Sequence, residues 1–472
     1  MKLIYSFVLS FILFCSCTHG QPSKKFIGTW EGKMNVGVEL RVVFHIREEN
    51  NTIITTSDSP DQSVFGIPTD ETVITGNEIV ITMKKMNATF RGKMTSDSVI
   101  EGALTQGIEI PLQLKKTTGA TQKTKTTKPQ TPVPPFPYKS ENITYKNSDG
   151  SIQFGATITI PEGKGPFPAV VIISGSGIQN RDGDMLGHSL YAVLADHLTR
   201  NGIAVLRYDE RGIGESGGDF TNATTRDFAN DATAAVNYLL SRPEVNKKKI
   251  GLIGHSEGGA IAPMIAAERN DIDFIVLLAG PGVPTLDLMA EQNEAIAKAT
   301  GITDASAKEF RLLYKQVINS ILSNPGDLKK TSDMLEEWAK GKDPVMLKQL
   351  NLASVDKRNG YALAMSNELK SEWMKYFLSI DPAINLQRLK CKVLALNGSK
   401  DIQVLPASNL AGIRSALQKS KSPLYEVKEI PGLNHLFQAC KKCGLDEYSQ
   451  LEETFSPVAL QLISDWLNKN TR

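Results

Sequence analysis

One short turn constrains this chain more than any other stretch. Gly254-His255-Ser256-Glu257-Gly258-Gly259 follows the apolar run Lys249-Ile250-Gly251-Leu252-Ile253 and opens into Ala260-Ile261-Ala262-Pro263-Met264-Ile265-Ala266-Ala267. A strand behind G-x-S-x-G and a helix ahead of it require a tight reversal. The serine is driven into a strained backbone conformation, so the residues two before and two after it must lack side chains. The hydroxyl then stands exposed at a helix N-terminus, where an anionic intermediate is stabilised. A bare G-x-S-x-G arises by chance, but with both flanks correct the reading is a nucleophile, Ser256. The plainer alternative is a Gly-rich strand-to-helix turn. The expectation is a serine hydrolase.

A serine hydroxyl is a poor nucleophile until a base takes its proton, and that base needs a carboxylate to hold it. In α/β-hydrolases these partners follow the nucleophile in the order acid, then histidine. His435, in Ile430-Pro431-Gly432-Leu433-Asn434-His435, is the only histidine C-terminal to His255. It lies after a strand and before the last helix, where the base is expected. The acid should end the strand at 393–396, and Asp401 is the only carboxylate of Asn397-Gly398-Ser399-Lys400-Asp401-Ile402-Gln403-Val404. The oxyanion needs preorganised donors. The backbone N–H of Glu257 is one, and that of Ser176, in Ser174-Gly175-Ser176-Gly177, is expected to be the other. No G-K-[ST] follows that loop, which argues against a phosphate cradle. The chemistry calls for no metal and no organic cofactor.

The rhythm from Tyr138 onward supports the same architecture. A hairpin (142–145, the Asp149-Gly150 turn, 153–160) precedes apolar runs at 169–173, 203–206, 250–253 and 274–278, with a last pair at 393–396 and 425–427. Such runs separated by helices indicate a mostly parallel sheet covered on both faces. Residues 285–380 are helical only. Phe310, Leu313, Val317 and Ile321 share one helical face, and the block is expected to cap the strand C-termini. Trp338, Trp373, Tyr376 and Phe377 are read as cap core, with pocket lining the alternative. The expected hydrolase domain is 138–472, with its cap at about 285–380.

Residues 22–114 instead alternate in short runs separated by turns, which predicts a small antiparallel β-domain. Its start, Phe26-Ile27-Gly28-Thr29-Trp30-Glu31-Gly32, resembles the G-x-W opening of lipocalin-like barrels, with Trp30 read as an interior plug. Residues 115–137, rich in Thr, Lys and Pro and free of acids, are expected to be an extended linker. Residues 1–20 read as a removable leader: a twelve-residue apolar core too short to span a bilayer, then Phe14-Cys15-Ser16-Cys17. That tetrad resembles a bacterial lipobox, with Cys17 lipidated, which implies a periplasmic or outer-membrane-anchored product. Plain secretion is the alternative. Three cysteines remain, Cys391, Cys440 and Cys443. A loop disulfide or a pairing through Cys391 is favoured over a metal half-site or redox pair, since C-K-K-C lacks two further zinc ligands. A formal net charge of +2 offers no electrostatic case for nucleic acid.

Three motifs in order carry a family resemblance. Ser174-Gly175-Ser176-Gly177-Ile178-Gln179-Asn180-Arg181-Asp182 resembles the G-S-G-P-Q-x-R-D signature of EstD-type bacterial esterases in the α/β-hydrolase superfamily, with Ile178 where the family has proline. Tyr208-Asp209-Glu210-Arg211-Gly212-Ile213-Gly214-Glu215-Ser216 and the Ser256 turn match two more. The resemblance spans roughly 140–470 and implies carboxylesterase activity, usually on short acyl chains. Arg181 and Asp182 are expected to pin the oxyanion loop to the cap. The leading expectation is therefore an exported esterase acting on a small-molecule ester. One rival is a serine peptidase, which would bind a substrate amine on carboxylates such as Glu210, Glu215 or Glu257. The other is a ligand-binding lipoprotein without catalysis.

Overall fold

The computed structural model describes residues 24–471 apart from 36–38, 51, 63, 87, 107 and 118–127. The leader with Cys17, and much of the linker, lie outside the described residues.

The N-terminal domain is one nine-stranded antiparallel sheet from Gly28–Asn35 to Ile108–Thr117. It curls so that Glu71–Thr75 returns against Thr52–Ser59, where the Thr72 hydroxyl donates to Thr55 Oγ1 at 2.8 Å. Alternation along each strand sends Trp30, Phe44, Ile81, Phe90, Ile100 and Leu114 to a fully buried interior. Trp30 is fully buried, with its indole N–H satisfied by the Phe26 carbonyl at 2.7 Å. The last strand runs to Thr117, beyond the boundary expected at 114, because Lys115 to Thr117 pair through their backbone with Thr29 to Glu31. Charged side chains that point outward do not prevent ladder pairing.

The described C-terminal part of the linker is fastened to the second domain. Gln130 accepts the backbone N–H of Thr454 and Phe455 and donates to the Phe455 carbonyl at 2.8 Å, so this end lies on the second domain. The β-domain also touches it where the Leu186 N–H donates to the Asp61 carbonyl.

The second domain is built on strands β1 (Lys139–Lys146), β2 (Gln153–Ile160), β3 (Phe167–Ile173), β4 (Ala204–Tyr208), β5 (Val245–His255), β6 (Phe274–Leu278), β7 (Lys392–Gly398) and β8 (Tyr425–Ile430). Their spatial order is β1-β2-β4-β3-β5-β6-β7-β8; β1, β2 and β4 are joined antiparallel and all later pairs are parallel. Successive β3 residues point to opposite faces, as strand geometry requires. Val170 and Ile172 meet the helices Leu190–Arg200 and Pro457–Thr471. Ala169, Val171 and Ile173 meet Thr225–Ser241 and Gly258–Glu268. This is the α/β-hydrolase fold. Helices from Thr285–Ala299 to Glu372–Leu378 form the cap between β6 and β7 around Leu313, Val317, Leu335 and Ala362. Among the described residues no helix is long and apolar enough to cross a membrane.

Candidate active site

The turn after β5 carries the serine at φ +53°, a left-handed conformation that costs a non-glycine residue strain and marks functional positions. The flanking glycines are steric requirements. A Cβ on Gly254 would stand 2.0 Å from the Gly258 carbonyl oxygen, and one on Gly258 would stand 2.3 Å from the Ile173 carbonyl oxygen. The Ser256 N–H donates to the Leu278 carbonyl at 2.9 Å, which locks the turn to β6.

Asp401 and His435 arrive from the ends of β7 and β8. The Nδ1–H of His435 donates to Asp401 Oδ2 at 2.8 Å, both side chains being buried. Asp401 Oδ1 accepts the N–H groups of Gln403 and Val404 at 2.8 and 2.9 Å, so the carboxylate cannot swing away. The histidine loop is braced by Asn434, whose Oδ1 accepts the N–H groups of Leu436 and Gln438. His435 reaches the serine turn through His255: the rings lie 4.9 Å apart, and His255 Nε2–H donates to the His435 carbonyl at 3.0 Å. With Nδ1 occupied, His435 Nε2 is the nitrogen left to take a proton. Burial and the neighbouring His435 push the His255 pKa down to about 3, which keeps His255 neutral.

The loop after β3 passes directly against Ser256, since a Cβ on Gly175 would meet the Ser256 Cβ at 3.1 Å. Buried groups hold this loop. Glu210, at the end of β4, accepts from the Ser174 hydroxyl and from the Gln179 N–H at 2.9 Å. Tyr191 accepts the Gly175 N–H at 3.1 Å and donates to Gln179 Oε1 at 2.8 Å. Arg181 and Asp182 were expected to reach the cap; they bind the body instead. Arg181 pairs with Asp209 at 2.6 Å and with Glu215, and Asp182 pairs with Arg207 on β4. The reason is topological: β3 and β4 are sheet neighbours, so the loop leaving one lies over the end of the other.

Glu257 is buried, and its Oε1 accepts from the Thr225 hydroxyl at 2.7 Å and from the Trp373 indole N–H at 2.9 Å. Burial raises its pKa, and it raises that of Glu210 well above the carboxylate range, with Glu257 and Asp231 adding like charge to the latter. Glu210, Asp231 and Glu257 border a small, largely enclosed cavity of about 10 Å³, roughly the space one water needs. The bracing roles of Tyr191, Thr225 and Trp373 escaped sequence reasoning, because nothing in local spacing relates them to positions 175 or 257. Glu210 was at least flagged by its motif.

Cys440 and Cys443 form a disulfide at the end of the histidine loop, and Cys391 is a buried free thiol. The pairing through Cys391 is thereby excluded. Cys440, Cys443 and Glu447 cluster within ligand distance. With the sulfurs joined, and Glu447 accepting the N–H groups of Lys441, Lys442 and Cys443, the cluster is a loop staple and not a metal centre.

Comparison with known proteins places this geometry in context. The family model described as serine aminopeptidase, S33, matches residues 187–438, more than half of the chain. Esterase EstD of Thermotoga maritima is 34% identical over 183 residues, covering 39% of this chain and 42% of the relative. Esterase FrsA of Vibrio vulnificus is 30% identical over 126 residues, 26% of this chain and 27% of the relative. The chain thus spans less than half the length of either relative. Among solved structures, the α/β hydrolase GrgF of Penicillium sp. sh18 aligns over 71% of this chain and 99% of its own, at 18% identity and a TM-score of 0.42.

Proposed function

The chain belongs to the serine aminopeptidase, S33, family of hydrolases, and on that premise we propose that it is an exported carboxylic ester hydrolase acting on short-chain esters through an acyl-enzyme intermediate. One observation carries the reading: a buried Asp401–His435 pair at 2.8 Å, tied through His255 to a serine held at φ +53° on a helix N-terminus.

In this mechanism Ser256 Oγ attacks the ester carbonyl carbon as its proton passes to His435 Nε2, while Asp401 holds the imidazole in the required tautomer. Among the described residues Ser256 Oγ is not hydrogen-bonded to His435; in substrate-free hydrolases that bond is often long and tightens on binding. The N–H groups of Glu257 and Ser176 take the oxyanion. The C–O bond then breaks, His435 protonates the departing alcohol, and water activated by the same imidazole releases the acid and restores Ser256.

The family description makes a peptidase the competing reading. An aminopeptidase needs a carboxylate free to meet a substrate ammonium. Glu210 and Glu257 are buried and hydrogen-bonded, and Glu215 is paired with Arg181. That arrangement favours esters. The ligand-binding alternative loses support because Phe26, Trp30, Phe44 and Phe90 fill the β-domain interior. Export is supported by the sequence of the leader and by the Cys440–Cys443 disulfide, a bond that persists in oxidising compartments. Lipid on Cys17 would then anchor the product to a membrane.

The deciding experiment is hydrolysis of p-nitrophenyl esters from acetate to decanoate beside aminoacyl p-nitroanilides, with Ser256→Ala as control. Ester turnover that disappears in Ser256→Ala, with an optimum at short chains, is the expected result. Anilide turnover without ester turnover overturns the reading in favour of the peptidase.

A further inference from the structure

The carboxyl of Glu257 joins three parts of the molecule that sequence keeps far apart. Oε1 accepts from Thr225, the first residue of the helix Thr225–Ser241, and from Trp373 in the cap helix Glu372–Leu378. Trp373 stacks on Phe377 at 5.3 Å, and the pair packs with Met264 of the nucleophile's helix and with Ile380. The cap is therefore seated on the body at an apolar patch, and a polar tie within that patch ends on the residue that follows the nucleophile. One of the two residues read as oxyanion donors, Glu257, carries this buried carboxyl.

We propose that Trp373 and Thr225 are positioning residues for the oxyanion hole, acting through the Glu257 carboxyl so that seating of the cap sets the direction of the Glu257 N–H group. The inference rests on the esterase reading above. Its physical basis is preorganisation: oxyanion donors stabilise the transition state only if they already point at the position the oxygen will occupy. A shift of the Glu257 side chain is passed to its own N–H across few bonds, because its turn is clamped between Gly254 and Gly258. Loss of either donor leaves a buried acceptor partly unsatisfied, which drives such a shift. The effect falls on the transition state more than on the bound ester, and so on kcat more than on KM.

The test uses the full chain and the variants Trp373→Phe, Thr225→Val, Glu257→Ala and Glu257→Gln. Two quantities are read: kcat and KM for p-nitrophenyl butyrate, and Ki for an alkyl trifluoromethyl ketone. The ketone carbonyl takes Ser256 Oγ to form a tetrahedral adduct whose oxygen occupies the oxyanion hole. The expected result for Trp373→Phe is a kcat lowered about tenfold with KM changed less than about twofold, and a ketone Ki raised by the same factor as kcat falls. Glu257→Gln, which retains an Oε1 acceptor, recovers most of the activity that Glu257→Ala loses. A merely structural role would lower the melting temperature without this matched loss. If Trp373→Phe does not fold, Thr225→Val, with nearly the same side-chain shape, decides the matter by the same criteria. Unchanged kcat and Ki, or a rise in KM alone, overturns the inference while an active wild type leaves the esterase reading standing. A wild type inert on every ester overturns both.

Discussion

His255 Nε2–H donates to the backbone carbonyl of His435 at 3.0 Å, so the residue before Ser256 is fastened to the residue proposed as its base. In the neutral ring this bond fixes the Nε2–H tautomer, and the other nitrogen, Nδ1, is buried without a partner among the described residues. Protonating the ring would place a charge in a dry site beside a second imidazole.

The consequence is an acid-sensitive fold. The folded-state pKa of His255 is about 3 and its ordinary value is 6.5, so between these limits the unfolded chain binds the extra proton. Above pH 6.5 the group contributes nothing. As pH falls below it, His255 costs up to about 1.4 kcal/mol of stability per pH unit. Urea midpoints of the wild type and His255→Gln between pH 7.5 and 4.5 measure the difference, and the wild type should fall more steeply. Parallel slopes would refute this assignment.

In the proposed mechanism Asp401 orients His435. Asp401→Asn keeps the shape but presents an amide where the imidazole N–H needs an acceptor, favouring the wrong tautomer. Ester kcat should fall by about 10⁴-fold, with the thermal midpoint little changed. Steady-state kinetics with calorimetry would check both halves, and a loss below tenfold would remove Asp401 from the mechanism.

Glu210 braces the loop that lies against Ser256. In Glu210→Gln one of its two donors, the Ser174 hydroxyl or the Gln179 N–H, meets an NH₂ group in place of an oxygen. The loop should relax and kcat for p-nitrophenyl butyrate should drop about 10- to 100-fold. Retention of full activity would mean the loop is held by Tyr191 alone.

The Cys440–Cys443 staple should contribute stability more than catalysis, since Asn434 already fixes the turn that carries His435. Cys440→Ser/Cys443→Ser should lower unfolding free energy by about 2 kcal/mol, the entropy of a loop this short. Its ester kcat should stay within about threefold. Denaturant unfolding beside turnover would show it, and a collapse of kcat would make the disulfide part of the site's geometry.

Local chemistry made much of this protein legible from its residues alone. The Ser256 turn announces itself because glycines at 254 and 258 answer a steric demand of neighbouring backbone atoms, and both are visible within six residues. His435 and Asp401 could be nominated because one histidine and one carboxylate occupied the expected slots in chain order. The parallel strands showed in apolar runs such as 274–278, buried on both faces. The last β-domain strand was cut short because Lys115 and Lys116 look like linker, although ladder bonds are blind to side-chain charge. Contacts across long separations were decided only by the tertiary structure. Arg181 binds Asp209 and not the cap because β3 and β4 are sheet neighbours. Gln130 seats the linker on residues 454–455. Trp373 meets Glu257 because the cap folds back over β5. Each depends on which elements become neighbours, a global outcome of burying the sheet's two faces together, and no stretch of sequence read by itself contains it.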